Sequence, residues 1–218
     1  MSGTVTLDAL DLAALLCSRV CHDLISPTGA IVNGLEVLEE AKDEETKEFA
    51  LDLIKKSAKT ASARLQFCRI AFGAAGSAGA QIDTGDAETM ARGFLDDKIK
   101  LTWNMQRVLL PKNRVKLLLN MLVIAVGTIP RGGTLMVDAI GEGEATGFRI
   151  TTSGLNARIS QALPDLLAGS PENGTIDAHA VQPFYTGLLA KACNVAVSLT
   201  PEGEGVVVAT SEAAPAAS

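Results

Sequence analysis

Cys21-His22-Asp23-Leu24-Ile25-Ser26-Pro27-Thr28-Gly29-Ala30 is the stretch on which the reading of this chain turns, because it sets a histidine, a carboxylate and a proline inside a long apolar repeat. Leu10, Ala14, Cys17, Cys21, Leu24, Thr28, Ile31, Leu35 and Leu38 recur at alternating spacings of four and three, the seam of a coiled-coil-like helix. Asp8 is placed to cap its start, and Glu39-Glu40-Ala41-Lys42-Asp43 ends the pattern, so a helix is predicted over about 8–41. A second seam follows through Leu51, Ile54, Ala58, Ala61, Leu65, Cys68 and Phe72, with Asp43 as N-cap and Gly73 as stop. Each helix would be roughly 45–50 Å long at about 1.5 Å per residue. A lone antiparallel pair leaves half of each apolar stripe in water, so the hairpin is expected to dimerise into a four-helix bundle.

His22 falls one position past the seam residue Cys21 and points to the flank of the bundle, where a phosphoryl acceptor would have to be. In a neutral imidazole one ring nitrogen is free to attack phosphorus while Asp23, or a nearby carbonyl, holds the other as N–H. If the turn is centred near residue 42, antiparallel pairing sets His22 level with about residue 63, bringing Ser62, Arg64 and Gln66 near it, and Arg19 lies one turn before it. Those cations and donors would position phosphoryl oxygens. Pro27 removes a helical hydrogen bond to the residue-23 carbonyl, at a cost of about 3 kcal/mol, and should kink the helix. Beyond it, Gly29, Ala30, Asn33 and Gly34 make a small-residue face, flanked by Ser26 and Val37, on which a partner helix carrying an aspartate could dock. The same face could instead pack inside the bundle, and both readings stand on the residues alone.

Composition excludes several classes. The 218-residue chain, 47% hydrophobic, can bury one or two ordinary cores. A net charge of −6 with one Trp and one Tyr argues against a nucleic-acid surface. Neither a membrane span nor a secretory leader is indicated, so a cytoplasmic protein is expected. The four cysteines form no CxxC pair, and three lie on apolar stripes where free cysteine is usually buried, so disulfides are not expected. A metal site from Cys17, Cys21 and His22 is disfavoured, since the two cysteines belong to the seam and the histidine turns away from it.

After the small-residue linker 71–80 the pattern changes. Helices are predicted near 86–97, 113–128, 157–168 and 180–193, and strands near 99–105, 134–140, 146–152, 195–199 and 206–210. The expected organisation is α+β: a helical hairpin over 1–75, an α/β layered domain over 76–211 and a disordered tail over 212–218.

The run from Cys21 through Ser26-Pro27, Ala30-Ile31 and Gly34-Leu35-Glu36 resembles the phosphoacceptor helix of sensor histidine kinases and, more closely, of the ChpT-type histidine phosphotransferases. That resemblance, which extends over nearly the whole chain, implies a homodimer whose histidine takes a phosphoryl group from the receiver domain of a CckA-like hybrid kinase. The group would then pass to the aspartate of response regulators resembling CtrA and CpdR. It implies no cofactor of the chain's own, with magnesium on the partner receiver. The order of elements after residue 76 resembles the ATP-binding domain of histidine kinases, yet the nucleotide motifs are eroded. Ile124 stands where the second of two asparagines would follow Asn120, Thr151-Thr152-Ser153-Gly154 lacks the adenine-reading aspartate, and the glycine-rich lid shrinks to Thr186-Gly187-Leu188-Leu189. Ser26 also departs from the threonine or asparagine usual in kinases with phosphatase activity. A phosphocarrier that binds no ATP is the favoured reading, with a weakly active kinase and a non-catalytic adaptor as its rivals.

Overall fold

Asp8 caps the first helix, its carboxylate accepting from the backbone N–H groups of Leu10 and Asp11 at 2.8 Å each, and α1 runs Ala9–Glu40. Asp43 does the same for α2 (Glu44–Ala71), accepting from the Thr46 N–H at 2.8 Å. These contacts, and the others below, come from a computed structural model that describes residues 4–73 and 79–213. The two helices pair along their length, as the repeats require.

The face by which they pair differs from the predicted seam. Of that seam, Leu10, Ala14, Cys17, Cys21, Thr28 and Leu35 are exposed in the single chain. The face toward α2 instead runs through Leu16, Val20, Leu24, Pro27, Ile31, Gly34 and Leu38, which are half-buried or buried. Heptad spacing alone does not separate two adjacent apolar stripes. The small or ring-compact residues Pro27 and Gly34 decide between them, because they let the helices approach. A Cβ on Gly34 would stand 2.7 Å from Cγ1 of Ile54 and 3.4 Å from the Ala50 carbonyl oxygen. The expectation that Cys17 and Cys21 are buried is corrected by the same observation, while Cys68 and Cys193 are buried.

The remainder builds a layered α/β unit. Short strands β1 (Gln81–Asp83) and β3 (Leu109–Pro111) pair antiparallel around α3 (Thr84–Phe94). The main sheet has the order β2 (Ile99–Trp103), β4 (Gly133–Ile140), β5 (Gly147–Ser153), β7 (Gly205–Glu212), β6 (Val195–Glu202), with β2 and β4 parallel and the other neighbours antiparallel. Leu135 and Val137 of β4 are buried while Met136 between them is exposed, the alternation of a sheet covered on one face. The cover is α4 (Lys112–Thr128), α5 (Leu163–Ala168) and α6 (Val181–Ala192).

The three-residue strands β1 and β3 are too short to leave a periodic pattern. The helix predicted over 157–168 is confined to α5, whose start is set by Pro164 in its first turn. Glu212, the first residue of the predicted tail, belongs to β7, and residues 214–218 of that tail, like 74–78 of the linker, lie outside the described residues. Among the described residues, no helix is long and apolar enough to cross a membrane.

The last turns of α2 join the two units. Phe67 stacks on Phe94 of α3 with ring centroids 4.0 Å apart. Asn120 of α4, fully buried, donates from its amide nitrogen to the Ala71 carbonyl at 3.0 Å, capping the C-terminus of α2.

Candidate functional site

Asp23 is the hub around which the first-helix candidates gather. Pro27 has no N–H to offer the Asp23 carbonyl one turn earlier, and Arg64 of α2 fills the place: its Nη1 donates to that carbonyl oxygen at 2.8 Å. The carboxylate of the same residue accepts from Arg19 Nε at 3.1 Å, and its other oxygen faces His22 Nδ1 at 3.4 Å. The imidazole itself is open, with 63% of its side-chain surface exposed, against 16% for Asp23. A carboxylate on the Nδ1 side favours the tautomer carrying the proton there and leaves Nε2 with its lone pair turned away. Directly beneath, Cys68 is buried, and that burial, with the charge of Asp23 as a second cause, pushes its thiol up to about 11. It is therefore a neutral packing group and no competing nucleophile.

Two candidates take different places from those expected. Gln66 donates to Ser62 Oγ at 3.2 Å and joins neither Asp23 nor His22. Arg64 is spent on the Asp23 carbonyl, so it holds the helix around the site together. On the proposed docking face, Ser26, Gly29 and Asn33 are exposed and follow His22 at four, seven and eleven positions, which puts them on one stripe with it. Val37 continues that stripe, exposed, and Ala30 is half-buried beside it. Gly34 must be corrected: it is buried under Ile54 and packs the hairpin, presenting nothing to a partner.

One residue escaped the sequence reading. His179, in the turn before α6, brings its ring edge-to-face against His22, with centroids 5.3 Å apart and planes at 79°. Asp177 shapes that turn by accepting from the N–H groups of Ala180 at 2.8 Å and His179 at 2.9 Å. These bonds, that of Ala180 foremost, hold its carboxyl below the usual carboxylate range. The available signal was compositional, since the chain has only two histidines. Behind His179 a cavity of about 320 Å³ is lined by Arg19, Ile124, Arg158, Ser160 and Gln182, among others.

The segments that resembled a nucleotide box have other work. Asn120 donates to the Lys116 and Ala71 carbonyls, and its own oxygens accept from Gln182 Nε2 at 3.0 and 3.1 Å. Thr186 accepts from Gln182 and donates to its carbonyl, so the network is closed and buried. Thr152 bonds Thr128 and the Val206 backbone inside the sheet. Gly187 lies within α6 as a packing glycine, since a Cβ there would meet the Leu167 carbonyl of α5.

Comparison with known proteins agrees with this architecture. The model of the histidine phosphotransferase C-terminal domain family matches residues 84–205. A protein phosphotransferase ChpT of Brucella abortus (strain 2308) is 55% identical over 208 residues, 95% of this chain and 98% of its own. A solved bacterial phosphotransferase structure superposes with a TM-score of 0.87 at 52% identity, covering 95% of this chain and 99% of that one. With identity of that order along nearly the whole length of both chains, this chain belongs to the ChpT family of histidine phosphotransferases.

Proposed function

We propose that His22 is the residue that carries the phosphoryl group, taking it from the receiver domain of a CckA-like hybrid kinase and giving it to the receiver aspartate of response regulators resembling CtrA and CpdR. The observation that carries this reading is the pairing of an exposed imidazole with a carboxylate on its Nδ1 side. In the accepting step Nε2 attacks the phosphorus of the receiver's aspartyl phosphate, an N–P bond forms, and the aspartate leaves with the electrons of the broken P–O bond. The proton on Nδ1 stays, stabilised by Asp23 as the ring becomes cationic. The donating step reverses these events at another receiver, which supplies its own divalent cation. Arg19 steadies Asp23, and Arg64 preserves the backbone on which both residues ride. The exposed stripe of Ser26, Gly29, Asn33 and Val37 receives the partner.

The chain works as a homodimer that does not charge itself with ATP. The first part is supported by the apolar stripe of α1 left in solvent, in which Leu10 and Ile25 are among the most exposed large residues of the chain. The second is supported by Asn120, Thr152 and Gly187, whose bonds and space are committed to packing.

The test is transfer of label from a phosphorylated receiver domain. Wild type should acquire it and His22→Ala should not, while neither should be labelled by ATP alone. Label persisting on His22→Ala would end the proposal, and labelling of wild type by ATP would make the chain a kinase.

A further inference from the structure

Resting on the reading that His22 is the phosphoacceptor, we infer that His179 is a positioning residue for the transfer, the means by which the α/β domain acts on the histidine of the hairpin. The imidazole of His22 is 63% exposed, and on its own helix only the 3.4 Å approach of Asp23 orients it. A contact that long leaves the ring free to swing and to exchange its two nitrogens. The ring of His179, at 5.3 Å and 79°, closes one side of that freedom. Held between Asp23 and His179, the imidazole keeps Nδ1 on the carboxylate and Nε2 toward the docking stripe.

The turn that carries the second ring is braced. Asp177 accepts from both N–H groups of the turn. Gln182, in the first turn of α6, is bonded to Asn120, and Asn120 to the Ala71 carbonyl at the end of α2. A buried chain of polar contacts thus sets the turn of His179 relative to the hairpin that carries His22. His179 is itself exposed, so filling a core does not account for its place. Pre-setting the nucleophile removes orientational freedom that a transfer between two separate proteins would otherwise lose in the transition state.

The experiment compares full-length wild type, His179→Ala and His179→Phe, with a receiver domain charged by a small phosphodonor as the probe. Label on His22 is followed by rapid quench over a range of receiver concentrations, and the His22 ring nitrogens and carbon-bound protons are read by NMR in the unphosphorylated protein, where two histidines give a simple spectrum. His179→Ala should lower the maximal transfer rate about tenfold and leave the half-saturating receiver concentration unchanged. His22 should lose its ring-current shift and show averaged nitrogens, and His179→Phe, which keeps a ring in place, should recover most of the rate. Wild-type rates with unmoved His22 signals in His179→Ala would overturn the proposal. So would a rise in the half-saturating concentration alone, which would assign His179 to docking, or a failure of His179→Phe to rescue. Absence of label on wild-type His22 would overturn the phosphoacceptor reading and this one with it, whereas label on wild type with an unaffected His179→Ala would overturn this one only.

Discussion

Helix α1 buries two of its 32 residues, Pro27 and Gly34, and α4 buries eleven of its 17. Both are strongly apolar, and the contrast lies in what surrounds them. Helix α4 is wrapped by the sheet, α3 and α6, so its Leu117-Leu118-Leu119 run is apolar all round because no side of it meets water. Helix α1 has α2 along one face and, near His22 and Arg19, the edge of the α/β domain, and its second apolar stripe is left over. One region completes its own core; the other leaves an apolar stripe in solvent, the stripe on which the proposed dimer rests. That division suits a carrier, which needs a rigid body behind the reacting group and open surface around it.

The sharpest break of the comparison is in the core. Leu122→Ala, at a fully buried position of α4, should lower stability by about 2–5 kcal/mol in urea titrations, by the same amount at every protein concentration. The half-exposed Leu35 of α1 should behave in the opposite manner. Leu35→Glu puts a charge into a face repeated by symmetry in the proposed dimer, so association should weaken by about 3 kcal/mol, roughly a hundredfold. Light scattering should then report the mass of one chain while circular dichroism reports unchanged helix. A dimer surviving Leu35→Glu would remove this stripe from the interface.

A smaller effect separates the two roles an arginine at the site can have. Arg64→Ala leaves the Asp23 carbonyl without a donor and should cost about 1–2 kcal/mol of stability. Pro27→Ala returns an N–H to that carbonyl from within the helix. Arg64→Ala should therefore cost clearly less in the Pro27→Ala background than in wild type, a coupling that a double-mutant cycle measures directly. Equal costs in both backgrounds would mean that Arg64 acts elsewhere.

What the sequence disclosed follows the range of the forces involved. Asp8 and Asp43 announce both helix starts because capping is decided within three residues. The long helices and the main strands show because each repeats its period several times. Counting back from the turn places Arg64 near His22, but its choice of the Asp23 carbonyl over a phosphoryl group depends on a hydrogen bond that Pro27 removes. The choice between two neighbouring stripes on α1 depends on how closely the helices approach at Gly34, which only the packed pair defines. His179 was illegible for a stronger reason: it reaches His22 only after the sheet, α4 and α6 have all been assembled.

The two glycines after Pro27 give the finest cut between packed and open surface on one helix. Both lie in the interior of α1, where glycine is worse than alanine by about 0.5–1 kcal/mol because the unfolded chain loses more freedom in becoming helical. At Gly29 a Cβ would meet nothing within 4 Å, so Gly29→Ala should collect that gain in full and raise the melting temperature by a few degrees. At Gly34 the new methyl would press on Ile54 at 2.7 Å, closer than carbon atoms approach without a shift. Ile54 can rotate, but the adjacent Ala50 carbonyl at 3.4 Å limits how far the helices can part, so the strain should cancel the propensity gain or exceed it. Gly29→Ala stabilising and Gly34→Ala not stabilising would place the boundary between hairpin interior and partner surface between these two positions. If Gly29→Ala also slows transfer from a phosphorylated receiver while raising stability, the glycine is there for the partner's approach, since a residue retained for folding alone would not be improved by its replacement.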